Sequence, residues 1–205
     1  MKKKLPPSRM IEIQPFDYQD FDNRIDDLKS YCKIIGKQKI QDQILMKNQL
    51  IVTLSTTLEV KLKEFLSHLI DKWDIPAKNL FSEKSIEIKL EVLDHLHKSS
   101  STITKGKIIA AHLENLNPWL VQDIMNRINK LDYFKWFDNI LGPDLNSFEQ
   151  LEELNIERNS IVHKLRDTNK SIEELHDTIV IVSRIYSLMM ALTQFNWEYF
   201  EKKWT

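Results

Sequence analysis

Three glycines, Gly36, Gly106 and Gly142, and six prolines are all that this chain of 205 residues offers of the two strongest turn formers. That is about a third of their usual share. Sandwiches, barrels and doubly wound sheets place such residues at nearly every corner, whereas long helices joined by few connections do not. The chain is therefore predicted to be all-α, a multi-helix bundle of six or seven helices with no sheet. The same scarcity excludes a glycine-rich phosphate loop of either the P-loop or the dinucleotide type, because three scattered glycines cannot write one.

Periodicity divides the chain into an N-terminal arm with one helix, residues 1–36, and a bundle over 37–205. Residues 1–20 carry Pro6, Pro7 and Pro15 without a repeat. Asp20 then stands as a helix cap, and Phe21, Ile25, Leu28, Cys32 and Ile35 form one stripe that Gly36 ends. A second helix is predicted from about Gln38 to Trp73, with Ile44, Leu45, Ile51, Leu54, Leu58, Leu62, Phe65, Leu66 and Leu69 along one side, before Pro76 breaks it. Residues 85–98 read as a shorter helix. Ser99 to Thr102 is a connector, followed by a short helix through His112. Asn117-Pro118 signals the next start, with Asn as cap and Pro at the first helical position, and Trp119, Leu120, Ile124, Ile128 and Leu131 follow on one side. After Gly142-Pro143, Ser147-Phe148-Glu149-Gln150 reads as a capping box opening a helix to about Arg166. Ser171-Ile172-Glu173-Glu174 reads as a second, opening a long final helix.

Charge is balanced, with 29 Lys plus Arg against 30 Asp plus Glu. Bulk electrostatic attraction to nucleic acid is thereby excluded, and any such contact has to be a local patch. Cys32 is the single cysteine, so no internal disulfide is possible, and a reducing, cytoplasmic location is expected. Met1-Lys2-Lys3-Lys4-Leu5-Pro6-Pro7 has no apolar run behind its lysines, so no signal peptide is expected. Thr178 to Trp197 holds Arg184 as its one charge, but Ser183, Ser187, Thr193, Gln194 and Asn196 are also polar. A helix buried on more than one side explains this segment better than a membrane span. Its two apolar stripes, one through Ile179, Val182, Tyr186 and Met189 and one through Ile181, Ile185, Leu188, Leu192 and Phe195, call for cover from the N-terminal arm or from a partner.

One constellation looks like chemistry. In the helix from Ser147, the run Glu157-Arg158-Asn159-Ser160-Ile161-Val162-His163-Lys164 places Asn155, Asn159 and His163 at i, i+4 and i+8, a polar row beside an apolar side of Leu151, Leu154, Ile161, Val162 and Leu165. Arg158 sits roughly 140° round and about 7.5 Å along the axis from His163. A fixed cationic fork near an imidazole, a group that titrates near neutrality, supplies what cleavage of RNA requires. The 2′-hydroxyl must lose a proton, the leaving oxygen must gain one, and charge on phosphorus must be stabilised.

The triplet Arg158, Asn159 and His163 in this spacing resembles the Arg-Asn-x-x-x-His motif of the HEPN-domain ribonucleases, helical bundles of the RiboL-PSP and toxin type. Chains of this composition would show that form by chance about once in a hundred. The long helix from Ser171 sits where the family has its last core helix, and Leu58 to Lys63 is similar, more loosely, to an acidic-plus-basic pattern on an early family helix. The resemblance implies a metal-independent endoribonuclease without cofactor, acting as a homodimer whose two motifs meet in one cleft. His163 would be general base or acid, Arg158 would hold the phosphate, and Asn159 would orient His163 or the phosphate. Lys164 and Arg166 are candidate RNA contacts. A toxin or anti-phage effector of this kind implies a cognate antitoxin or sensor protein as partner.

Other residues carry less. His95 and His97 lie on different sides of a helix, His68, His112 and His176 stand alone, and no His-Glu-x-x-His or cysteine cluster exists, so no metal site is expected. Lys33, Lys37, Lys39 and Lys47 are most simply a solvated surface. The simplest alternative for the motif is an Arg158 pair with Glu153 and a His163 placed near a helix C-terminus by the dipole. Two other functions follow from that alternative, a non-catalytic HEPN-like module that binds RNA or nucleotide or scaffolds a complex, and a helical adaptor with no ligand.

Overall fold

A computed structural model of the chain describes residues 18–72, 104–111, 118–129, 133–142 and 146–194. They form seven helices and, among the described residues, no strand: α1 (Tyr18–Ile35), α2 (Ile40–Lys72), α3 (Lys105–Ala111), α4 (Pro118–Asn129), α5 (Tyr133–Leu141), α6 (Ser147–Lys164) and α7 (Ile172–Gln194). The helix expected over 85–98, the connector from Ser99, Pro76 and residues 1–17 lie outside the described residues, and residues 18–20, expected to be irregular, belong to α1.

The core is built around α2. Leu50, Leu54, Leu58, Leu62, Phe65, Leu66 and Leu69 are buried along it, against α1, α3, α6 and α7. The stripe reaches further toward the N-terminus than the core does. Ile40 and Ile44 continue it but are exposed, because the interior closes one turn later, where Lys47 Nζ donates to the Lys170 carbonyl (2.8 Å). Leu45, expected on the same side, lies on another face of the helix and is also exposed.

On α1, Phe21, Ile25, Leu28, Cys32 and Ile35 are all buried, and the Gly36 amide reaches back to Cys32 O (3.2 Å) to end the helix. Asp20 is not the cap. The helix already begins at Tyr18, and the Asp20 carboxylate serves the packing of α1 on α2 instead, meeting Lys61 Nζ at 3.2 Å and Arg24 Nε at 3.5 Å. Lys61 is almost fully buried and also bonds Glu64 (2.8 Å). Burial pulls its ammonium down, but the bonds to Glu64 and Asp20 outweigh burial and hold it above the usual lysine range.

Both apolar stripes of α7 are met within the chain over the described residues. Leu175, Ile179, Val182, Ile185, Tyr186 and Met189 are buried, while Ile181 and Leu188 pack partly against the same core. Helix α1 supplies much of the cover, with the Phe21 and Tyr186 rings 3.8 Å apart between centroids. This face therefore does not by itself require a partner. The side chain of Leu192, and all of Phe195, fall outside what is described.

The helix expected from Asn117-Pro118 is α4, described to Asn129, and the aromatic segment from Tyr133, where no helix is predicted, forms α5. Phe134 of α5 is buried edge-on against Phe148 of α6 (5.1 Å, 72°). This packing overrides the capping box read at Ser147. Asn146 is the N-cap, in the left-handed conformation (φ 46°) and with no side-chain bond, and Ser147 is fully buried. The Ser147 amide is capped by Asp138 Oδ1 (2.8 Å), and its hydroxyl donates to Phe134 O (3.3 Å). The box at the start of α7 does form. Ser171 N donates to Glu174 Oε2 (2.6 Å) and Glu174 N to Ser171 Oγ (3.1 Å), as a reciprocal pair requires.

A candidate RNA-binding face on helix α6

Helix α6 has an inner and an outer side. Leu151 and Leu154 are buried and Ile161 packs partly on the core, but Val162, expected to join them, is 41 % exposed and Leu165 89 % exposed. The cause is local. Leu165 ends the helix in the left-handed conformation (φ 51°, ψ 39°), where the Arg166 amide reaches back to Ser160 O (3.2 Å), and this geometry turns its side chain outward. Glycine is the usual residue at such a position because a Cβ crowds the following carbonyl.

Asn159 and His163 lie on the outer side of this helix, and Arg158 stands at its border toward the core. Arg158 is half-buried, and its Nη1 donates to Asn159 Oδ1 (2.8 Å). Glu153 is not its partner; no carboxylate among the described residues pairs with Arg158 or His163. His163 is exposed, as are Lys164 and Arg166. The oxygen of Asn159 is therefore committed to Arg158, not to His163, which leaves its amide NH2 as the group free to donate. Ile156, 56 % exposed, and Val162 flank the row of Asn159 and His163, so the outer face is apolar at its margins and polar along its middle.

The corner after α6 is fastened to α2. Asn48 Nδ2 donates to Asp167 Oδ1 (2.7 Å), and its oxygen accepts from Thr168 N (2.9 Å). The buried Thr168 hydroxyl donates to Glu157, whose other oxygen lies 3.8 Å from Lys170 Nζ. Lys47 closes the clasp on the Lys170 carbonyl, so it does not belong to a surface patch with Lys33, Lys37 and Lys39. The sequence reading missed this clasp. Its partners in α2 and the corner are 119 to 123 positions apart, and no spacing within either segment signals them.

Between the first half of α2 and the end of α6 runs an open groove of about 500 Å³. Leu45, Val52, Ile161 and Leu165 form its apolar walls, and Asn48, Gln49, Thr53, Arg166 and Asp167 are its polar lining. The chain matches no family model, no curated protein and no solved structure.

The remaining titratable groups are explained by packing. Within the Leu58–Lys63 segment, Glu59 pairs with Lys63 (3.0 Å) and Lys61 with Asp20 and Glu64. Burial, then the nearby Lys72 ammonium, lower the His68 imidazole against the opposing pull of Asp71. Among the described residues, no three His, Cys, Asp or Glu side chains are grouped to hold a metal ion, and no helix is long and apolar enough to cross a membrane.

Proposed function

We propose that this protein is a metal-independent endoribonuclease of HEPN type, cleaving RNA by attack of the 2′-hydroxyl at a composite site between two copies of the chain. The observation that carries the reading is an imidazole and a half-buried guanidinium on one helix, without carboxylate partners among the described residues, beside exposed Ile156 and Val162. Apolar margins beside a polar row are the pattern of a surface that is covered during function.

The second copy matters chemically. On one helix Arg158 and His163 point roughly 140° apart, close enough for long side chains to converge on one phosphate, and a second copy brings a second imidazole to share the acid and base roles. In the proposed dimer the His163 of one subunit reaches the border of the partner's α6 where Arg158 and Asn159 lie. In that arrangement His163 takes the 2′-hydroxyl proton or returns one to the leaving 5′-oxygen. The Arg158 fork binds the non-bridging oxygens as charge accumulates, and the free Asn159 amide donates to the phosphate. The products carry a 2′,3′-cyclic phosphate or its hydrolysis product, and DNA, which lacks the attacking hydroxyl, is not cut. Such an enzyme serves as a cytoplasmic toxin or defence effector and requires a cognate antitoxin or a sensor to restrain it.

The separation of the two groups within one subunit also supports a second reading, a non-catalytic module that binds RNA or nucleotide through Arg158, Lys164 and Arg166. Induced expression distinguishes the two. Growth arrest by the wild-type chain, relieved by His163→Ala, supports the nuclease, and growth unaffected by the wild-type chain, with RNA bound but uncut, supports the module.

A further inference from the structure

We propose that the groove between α2 and α6 is a nucleobase subsite that holds one unpaired base of a single-stranded RNA next to the phosphate bound at Arg158. The inference rests on the RNA reading for the identity of the ligand, but not on cleavage. Its first support is position. Arg158 precedes Ile161 by three positions on the same side of α6, so it lies one turn beyond the wall that Ile161 gives the groove, and Arg166 stands on the groove itself. A nucleotide whose phosphate meets Arg158 therefore has its base within reach of Val52 and Ile161.

The second support is chemistry. A base has two flat apolar faces and a polar edge, and the groove offers apolar walls with the Gln49 amide and Thr53 hydroxyl at the rim. Its volume, about 500 Å³, is ample for one base with its ribose. Leu45 and Leu165 stand on opposite walls, both largely exposed, and Leu165 holds that place in a backbone conformation that disfavours it.

The third support is charge. At this corner Arg158, Lys164 and Arg166 have no carboxylate partner among the described residues, whereas Glu157 and Asp167, the latter on the groove wall, accept hydrogen bonds from Thr168 and Asn48. The surplus is cationic, which complements a phosphodiester and opposes a basic partner.

The test is fluorescence anisotropy on the full-length chain carrying His163→Ala, so that RNA is not consumed. The probes are a labelled octamer of single-stranded RNA and an octamer of the same sugar-phosphate backbone without bases. The parent is expected to bind intact RNA about fivefold or more tightly than the abasic strand. Replacing the exposed walls, Leu45→Ser with Leu165→Ser, is expected to abolish that difference while leaving abasic binding unchanged. Equal binding of the two strands by the parent, an undiminished preference in the double variant, or no RNA binding at all would overturn the subsite. If wild-type protein fails to cut RNA while the base preference and its loss are observed, the nuclease reading fails and the subsite stands. If RNA is cut but the walls do not matter, the subsite alone fails.

Discussion

Leu165 stores conformational energy at the edge of the candidate site. An L-residue in the left-handed region costs roughly 1–2 kcal/mol relative to one in the right-handed region, and a side chain that is 89 % exposed gains little packing in return. Leu165→Gly is therefore expected to raise stability by about 1 kcal/mol in urea unfolding while weakening RNA binding, opposite signs at one position. Gly106 behaves in the other direction. A Cβ there would lie 2.0 Å from the Ser67 carbonyl oxygen of α2, and its amide donates to Asp71 Oδ1 (2.7 Å). Gly106→Ala forces α3 off α2 and is expected to cost about 3 kcal/mol, read from the same unfolding midpoint. The sequence shows that Gly106 is one of only three glycines, but not that it marks a close approach, since that depends on Ser67, far away in the chain. The Arg158–His163 spacing, by contrast, is legible because both residues belong to one helix.

At the scale of elements, the two predicted capping boxes separate what local sequence determines from what tertiary contact decides. Ser171 and Glu174 need only each other, and their box forms. Ser147 has the same pattern, yet α5 supplies Asp138 as the cap and draws the serine hydroxyl to Phe134 O. Ser171→Ala is expected to cost about 1 kcal/mol. The Glu174 carboxyl is held below its ordinary value of 4.5 first by the bond from the Ser171 backbone and then by the Ser171 side chain. Because the folded-state value is depressed, the stabilisation is complete above pH 4.5 and is lost as pH falls through the folded value. Glu174→Gln should remove this part of the acid sensitivity, visible as a shallower decline of the urea midpoint below pH 4.5. Helix existence was readable from the 3.6-residue stripes of α1, α2 and α7. Helix α5 was not, because the packing of Phe134 on Phe148 is a contact between elements.

For the whole molecule, the core is complete within one chain wherever it is described, so association has to be argued from what remains outside. Apolar side chains are exposed on several elements, among them Ile34, Ile40, Val60 and Ile140, and the proposed interface is the outer face of α6, where Ile156 and Val162 border Asn159 and His163. Ile156→Asp with Val162→Asp is expected to leave the fold intact, as both side chains are solvent-facing, and to convert a dimer to a monomer in analytical ultracentrifugation with loss of RNA cleavage. The most direct test of the account is the rate of single-stranded RNA cleavage by the purified protein in EDTA. Wild type is expected to cut it and to leave a 2′,3′-cyclic phosphate. His163→Ala and Arg158→Ala should fall by at least about a hundredfold, and Arg158→Lys nearly as far, because an ammonium does not reproduce the guanidinium fork. Cleavage by His163→Ala at the wild-type rate, or no cleavage by wild type, would contradict it.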